Sequence, residues 1–383
     1  MSPQSASPPT HQHLEFSCAL RQEARRTSRD HRTRSGNIIA IHTMKKPSTL
    51  LRSISTRLST RLAPSPAVAP WPPGRSAYDR WLAAELDELR ADPLAPCTSA
   101  AWLGRAIGLA VAAQRQLVAS AASAPDAGMD RKAIDECVED TAELLDACAG
   151  LRDRFDLVRS YASSMRIALH WLEGRGGGAA TARRHAAAAF VECEAVERRC
   201  GAELAKCGSN LRKLGERALH PKPQSGGRAQ YEESLAGARA AALLAVGALG
   251  VALAFRPRRS VPGIAHAGSG KGGEAAPWEC ALQEVQKHVK EVYDRRRKEG
   301  VPCMAELEVA AADARTVKCA LNTGGRHLTE AAVAAARKRC DELEEKVSVL
   351  EESISELHRE LIGVRMVLLE WSQRARGHEV LRL

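Results

Sequence analysis

The nearest approach to a chemical motif in this chain is Gly268-Ser269-Gly270-Lys271-Gly272-Gly273. A glycine-rich loop ending in Gly-Lys can cradle nucleotide phosphates with its backbone N–H groups, while the lysine offsets their charge. The pattern needs a glycine at position 265 and a Ser or Thr at 272 to hold magnesium, and the chain has Ala265 and Gly272 there. No strand-like run precedes the loop, so it reads as a solvated linker. Acid–base and metal chemistry fare no better. The twelve histidines are dispersed, with neither HExxH nor HxxxH among them. Glu136, Glu139, Asp140 and Glu143 are predicted to line the polar side of one helix, where a solvated face is the simplest reading. Paired Glu-x-x-His motifs on apolar stripes, as a di-metal bundle requires, are missing. The expectation is a protein without catalytic residues, cofactor or metal, and not an enzyme.

Cysteine could still carry chemistry. The eleven cysteines are odd in number, and no two have CxxC spacing, which excludes a zinc knuckle and a thioredoxin-like pair. Cys137, Cys148, Cys280 and Cys340 fall on apolar helix faces, as buried free thiols do in a reducing compartment. Cys193, Cys200 and Cys207 are seven residues apart. They share a helix face but lie roughly 10 Å apart along the axis, too far for a disulfide or a shared metal within one helix.

The elements that would position any such groups are helices. Hydrophobic residues make up 44% of the 383 positions but aromatics only 4%, and alanine dominates the apolar set. Strand formers are too sparse to build a sheet, which predicts an all-α protein. The apolar periodicity predicts a short helix carrying Trp81, Leu82, Leu86 and Leu89, stopped near Pro93. A second helix, capped by Thr98 or Ser99, runs to Pro125. A long one opens at Asp130 and breaks at Gly174-Arg175-Gly176-Gly177-Gly178. An alanine-rich helix then spans about 181–219, and further helices are expected over 278–300 and 303–321.

The clearest signal is C-terminal. Val333, Ala336, Cys340, Leu343, Val347, Leu350, Ile354, Leu357, Leu361, Val364, Leu368 and Trp371 follow in alternating steps of three and four. That spacing keeps all twelve on one narrow helix stripe, with charged residues on the other faces. Such a stripe must meet another helix, and the segment 330–372 is predicted to fold back on the helix of 130–173. The residues from Leu343 to Trp371 are the candidate interaction stripe. Self-association through it, as an oligomeric coiled coil, is the competing reading.

A second feature is Ala240 to Phe255, sixteen uncharged residues followed by Arg256, Arg258 and Arg259. Within it Leu243, Leu244, Val246, Leu249, Val251, Leu253 and Phe255 are candidate membrane-facing residues. Sixteen helical residues span about 24 Å, against the roughly 30 Å of a bilayer's hydrocarbon. Two readings of the apolar helix 236–256 stand side by side: a membrane segment, or a central helix buried all round.

The net charge of +10 is concentrated at the N-terminus. Residues 1–75 carry twelve Lys or Arg against three acids (Glu15, Glu23, Asp30), a surplus of nine. They are rich in Ser, Thr, Pro and Arg, and are predicted to be a disordered arm. A folded nucleic-acid reader would carry its basic patch on the fold, with aromatics nearby, so no nucleic-acid partner is expected. The stretch from Met44 to Leu62 is basic, hydroxyl-rich and free of acids, as an organelle targeting segment or an anionic-lipid contact would be. Met44 is an alternative start. The domain plan is an arm over 1–75, helices over 76–220, the apolar helix 236–256, a flexible loop over 257–276, and C-terminal helices over 277–383. Together 76–383 make one elongated helical bundle.

The order of local motifs points to a family. Ser99-Ala100-Ala101-Trp102-Leu103 opens the first long helix. Glu139-Asp140-Thr141-Ala142-Glu143-Leu144-Leu145-Asp146-Ala147-Cys148 and then Arg159-Ser160-Tyr161 follow on the next. After the apolar segment come Ala276-Pro277-Trp278, with Glu284-Val285 behind, and Met304-Ala305-Glu306-Leu307-Glu308. In that order, across 76–383, the chain resembles the plant-specific BYPASS-like family. The family start resembles the stretch from Met44; the extra 43 residues and the alanine-rich composition depart from it. The resemblance implies an all-helical, non-enzymatic regulator of plant development. One branch is linked to a root-derived mobile signal that affects shoot growth, another to secretory tethering by the exocyst. Plastid or endomembrane location is implied, with the cytoplasm as the alternative, and protein partners are implied to bind by helix packing. The family has no catalytic residues to carry over.

Overall fold

In the computed structural model the chain is helical wherever it is regular. The structure describes residues 76–91, 95–123, 129–173, 179–218, 230–258, 260–261, 276–323 and 330–380. The N-terminal arm, the glycine-rich Gly268–Gly273 segment and the glycine break at 174–178 lie outside them. The described helices are α1 (Ala77–Ala91), α2 (Ala100–Ser123), α3 (Arg131–Glu173), α4 (Ala179–Ala218), α5 (Gln230–Ala252), α6 (Pro277–Glu299), α7 (Ala305–Asn322) and α8 (Glu330–Val380). No strand occurs among the described residues. All eight helices belong to one compact unit.

Local chemistry fixes where these helices begin and end. The Ser76 hydroxyl accepts the Asp79 N–H (3.0 Å) and caps α1, and Ser99 does the same for α2 through the Trp102 N–H (3.2 Å). α6 starts on Pro277, whose missing N–H is no loss in a first turn. It ends on Gly300 at φ 72°. There the Val301 N–H reaches the Arg296 carbonyl (3.1 Å) and the Gly300 N–H the Arg297 carbonyl (3.1 Å), a Schellman closure that only a left-handed residue allows. The Arg296 guanidinium then bonds the Pro302 carbonyl (2.9 Å) and pairs with Glu308, fixing the α6–α7 corner.

α3 is the central element, packed along its length by α4 and α8. Its partners on α8 run in reverse order. Asp135 accepts from Ser372 (2.8 Å), the Val138 carbonyl from Arg365 (2.7 Å), Arg159 pairs with Glu351, Arg166 with Asp341 (3.2 Å) and Glu344, and Glu173 with Arg337 (2.8 Å). The two helices are therefore antiparallel. Pairs this exposed add little stability each, but their sequence along the seam sets its register. α2 lies between α5 and α8, α1 against α6, and α7 against α8.

The apolar helix differs from its expected limits. α5 starts at Gln230 and stops at Ala252, while Leu253, Ala254 and Phe255 leave the helix yet remain fully buried. The reasons are both local and tertiary. Pro257 disfavours helix at the residue before it. The freed carbonyls find other donors: Ala252 accepts the Met304 N–H (3.4 Å) and Leu253 the Cys200 thiol (3.4 Å). Phe255 turns inward onto Tyr161, ring centres 4.5 Å apart. α8 also runs nine residues past the last stripe position, Trp371, to Val380.

Candidate interaction surface

The stripe residues are interior. Leu343, Val347, Leu350, Ile354, Leu357, Leu361, Val364, Leu368 and Trp371 are all buried, none more than 6% exposed. Leu343 to Leu361 join the main core with α3 and α5 residues. Val364, Leu368 and Trp371 join a smaller cluster with Leu117, Tyr231 and Leu235, where the Tyr231 and Trp371 rings meet edge-on at 4.6 Å. The heptad seam is thus an intramolecular contact, covered by α3 and by α2.

The seven candidate membrane residues are also brought into that core: Leu243, Leu244, Val246, Leu249, Val251, Leu253 and Phe255 are all buried. By length and composition α5 is able to cross a membrane, and 94% of its apolar window is buried inside the unit. Polar anchors hold it there. Arg239 forms an ion pair with Asp140 of α3. Gln114 of α2 donates to the Ala238 carbonyl (3.0 Å). Arg154 of α3, 4% exposed, donates to the Gly250 carbonyl (2.7 Å). These groups suit a helix enclosed by protein, since a buried polar group is tolerable only when partnered.

Two features escaped the sequence. Asp140 was expected on a solvated face with Glu136 and Glu139, which are exposed; Asp140 is buried beside Arg239. It lies one turn from Cys137 and Leu144, on the edge of the apolar stripe. The available signal was Arg239, a lone charge abutting the uncharged run that begins at Ala240. The second feature is Trp171, 39% exposed at the end of α3 and one residue off the apolar stripe. It stacks on His185 of α4, ring centres 4.5 Å apart and planes 21° apart. Ile167, one turn back, is 51% exposed. Other exposed apolar residues, Val191, Val309, Val349, Ile362 and Met366, are spread over α4, α7 and α8, which is ordinary for a protein surface.

Five buried thiols are held out of chemistry. Burial pushes Cys97, Cys137 and Cys340 up to about 11, and Cys193 and Cys303 up to about 12. At neutral pH they are protonated and poor nucleophiles. Their S–H groups serve as donors, Cys340 to the Ala162 carbonyl (3.2 Å) and Cys193 to the Tyr161 carbonyl (3.8 Å). Cys280 and Cys319 are exposed. Among the described residues no group of three or more His, Cys, Asp or Glu gathers to hold a metal ion.

The arrangement can therefore offer faces, edges and charge to another molecule, and comparison with known proteins gives it a context. The family model described as Protein BPS1 matches residues 127–370, from just before α3 to the penultimate turns of α8. The chain belongs to the BPS1 family. The BYPASS-like resemblance read from local motifs is thereby shown over α3 to α8. No curated protein matches the chain, and no solved structure does. α1 and α2, outside the match, are nonetheless integral to the fold of this chain. Trp102 donates its indole N–H to the Leu89 carbonyl (2.9 Å), and the Glu306 carboxylate caps the Ala100 N–H (3.0 Å) from α7.

Proposed function

We propose that this chain is a non-enzymatic, BYPASS-like regulatory adaptor in plant developmental signalling between root and shoot. It presents the outer faces of a prepacked helical unit to protein partners. The observation that carries the reading is the extent of the family match: 127–370 spans the α3–α8 seam and α5, so the family's common element is the helical assembly itself. With stripe and apolar helix both turned inward, partners meet the polar outer faces and the scattered apolar side chains on them. The basic arm, with its surplus of nine positive charges, supplies attraction to an anionic endomembrane or plastid surface. In this reading the arm brings the chain to the membrane, and α5 stays within the fold.

Proximity labelling from the native protein, begun at Met1 in one line and at Met44 in another, tests this. Developmental signalling components at an endomembrane or plastid surface are expected among the neighbours. Labelling dominated by exocyst subunits would move the chain to secretion. A set of metabolic enzymes sharing one pathway would contradict the adaptor reading.

A further inference from the structure

The end of the α3–α4 pair carries an unusual combination of side chains. Trp171 and Ile167 are exposed on α3, one helical turn apart, so their apolar surfaces are contiguous along one edge. His185 of α4 stacks flat on the Trp171 ring at 4.5 Å, and His170 meets the same ring edge-on at 6.3 Å. Arg183 and Arg184, in the opening turns of α4, are exposed. Arg184 bonds only the Thr181 hydroxyl (3.3 Å), and neither arginine makes an ion pair among the described residues. The acid in the last turn of α3 is Glu173, and both its oxygens are taken by the Arg337 fork at 2.8 Å. Two exposed guanidinium groups, without an ion pair among the described residues, thus stand within two positions of the His185 that stacks on the exposed indole.

We infer that this tip, built on Trp171, Ile167, Arg183 and Arg184, docks on the surface of an anionic lipid bilayer. The chemistry of each component fits that occupant. An indole seeks the headgroup level, where its ring is buried and its N–H stays wet. Arginines beside it meet lipid phosphates and carboxylates, each strengthening binding about fivefold near an anionic leaflet. Ile167 adds apolar surface at the same depth. The stacked His185 holds the indole in one orientation. The contact is superficial and leaves α5 within the core. This assignment rests on the proposed membrane location but names a second contact, distinct from the basic arm.

The test uses the full chain carrying Trp71→Phe, which leaves only described tryptophans, among which Trp171 is the exposed one. It is mixed with phosphatidylserine-rich vesicles and with phosphatidylcholine vesicles, each with and without brominated acyl chains. Binding to the serine-lipid vesicles is expected, with fluorescence quenched by the bromines. Trp171→Phe should abolish that quenching while helicity stays unchanged. Arg183→Ala with Arg184→Ala should weaken vesicle binding about 25-fold, roughly fivefold for each. A companion variant with Lys45, Lys46, Arg52, Arg57 and Arg61 changed to Gln separates the two contacts. Binding that is lost in this variant but insensitive to Trp171 and both arginines would overturn the tip assignment and leave the arm-based location standing. No vesicle binding by the parent chain would overturn both. Capture of a poly-glutamate peptide by Arg183 and Arg184 without lipid binding would give the surface to an acidic protein segment instead.

Discussion

Arg154 lies where a charge is hardest to keep, 4% exposed between α3 and α5, and its Nη1 reaches the Gly250 carbonyl at 2.7 Å. A Cβ added at Gly250 would sit 2.7 Å from that same nitrogen. Gly250→Ala must therefore push the guanidinium aside and leave buried polar groups poorly paired, at about 1–3 kcal/mol. Urea unfolding should show this loss. It should also show that Gly250→Ala costs much less when Arg154→Leu is already present, because the two changes remove one interaction. Glu197 poses the opposite case. Desolvation raises its carboxyl above the ordinary value, more than Arg315 and Arg256 lower it. The folded state then holds a proton that the unfolded state releases first, so this residue's contribution falls as pH rises through the folded value. Glu197→Gln should stabilise the protein at neutral pH and flatten the mildly acidic limb of its stability profile, measured by thermal melting across pH. The thiols give a third check. Cys280 and Cys319 should react with a maleimide in the native protein, and the seven buried cysteines only after denaturation, as peptide mass mapping would show.

At the scale of elements the seam between α3 and α8 dominates. Leu350 is 1% exposed and Leu357 fully buried. An aspartate at either place buries an unpaired carboxylate at a cost of several kcal/mol. Melting temperature and helicity should both fall in Leu350→Asp and Leu357→Asp, and retention of both would argue against this packing. The seam was legible in the sequence because its twelve stripe residues keep one spacing for nearly forty positions, and all twelve are buried. Helix ends were legible wherever Pro, Gly or a hydroxyl cap marked them, as at Ser99 and Gly300. Periodicity carries no information about partners distant in sequence. It did not show that Asp140 meets Arg239, or that Trp171 finds His185 across a hairpin. The apolar run also carried the expected helix to 256, because Leu253 and Phe255 are as apolar as the helix before them. The Met304 N–H and the Cys200 thiol, which take up the carbonyls at the end of the helix, belong to tertiary structure.

For the molecule as a whole, the position of α5 bears on the membrane location proposed above. A helix tied by Asp140, Gln114 and Arg154 is held inside the protein. Alkaline carbonate washing of cell membranes should therefore release the chain into the soluble fraction. Retention in the pellet would mean that α5 leaves its neighbours and inserts.

One junction also bears on how the chain is made. Residues from two distant stretches meet where α2 and α7 begin. The Glu306 carboxylate covers the Ala100 N–H, the Ala305 N–H is received by the Thr98 carbonyl at 2.8 Å, and the Tyr293 hydroxyl donates to the Cys97 carbonyl at 2.9 Å. The two sides are 206 residues apart at Ala100 and Glu306. At about 5–20 residues per second, ribosomal synthesis takes on the order of 10–40 s to supply the second side. Throughout that interval the start of α2 lacks the Glu306 cap and the Ala305 contact that close it in the complete fold. A chain cut before Glu306 would lack this closure and should be digested faster at α2 than the full chain in limited proteolysis.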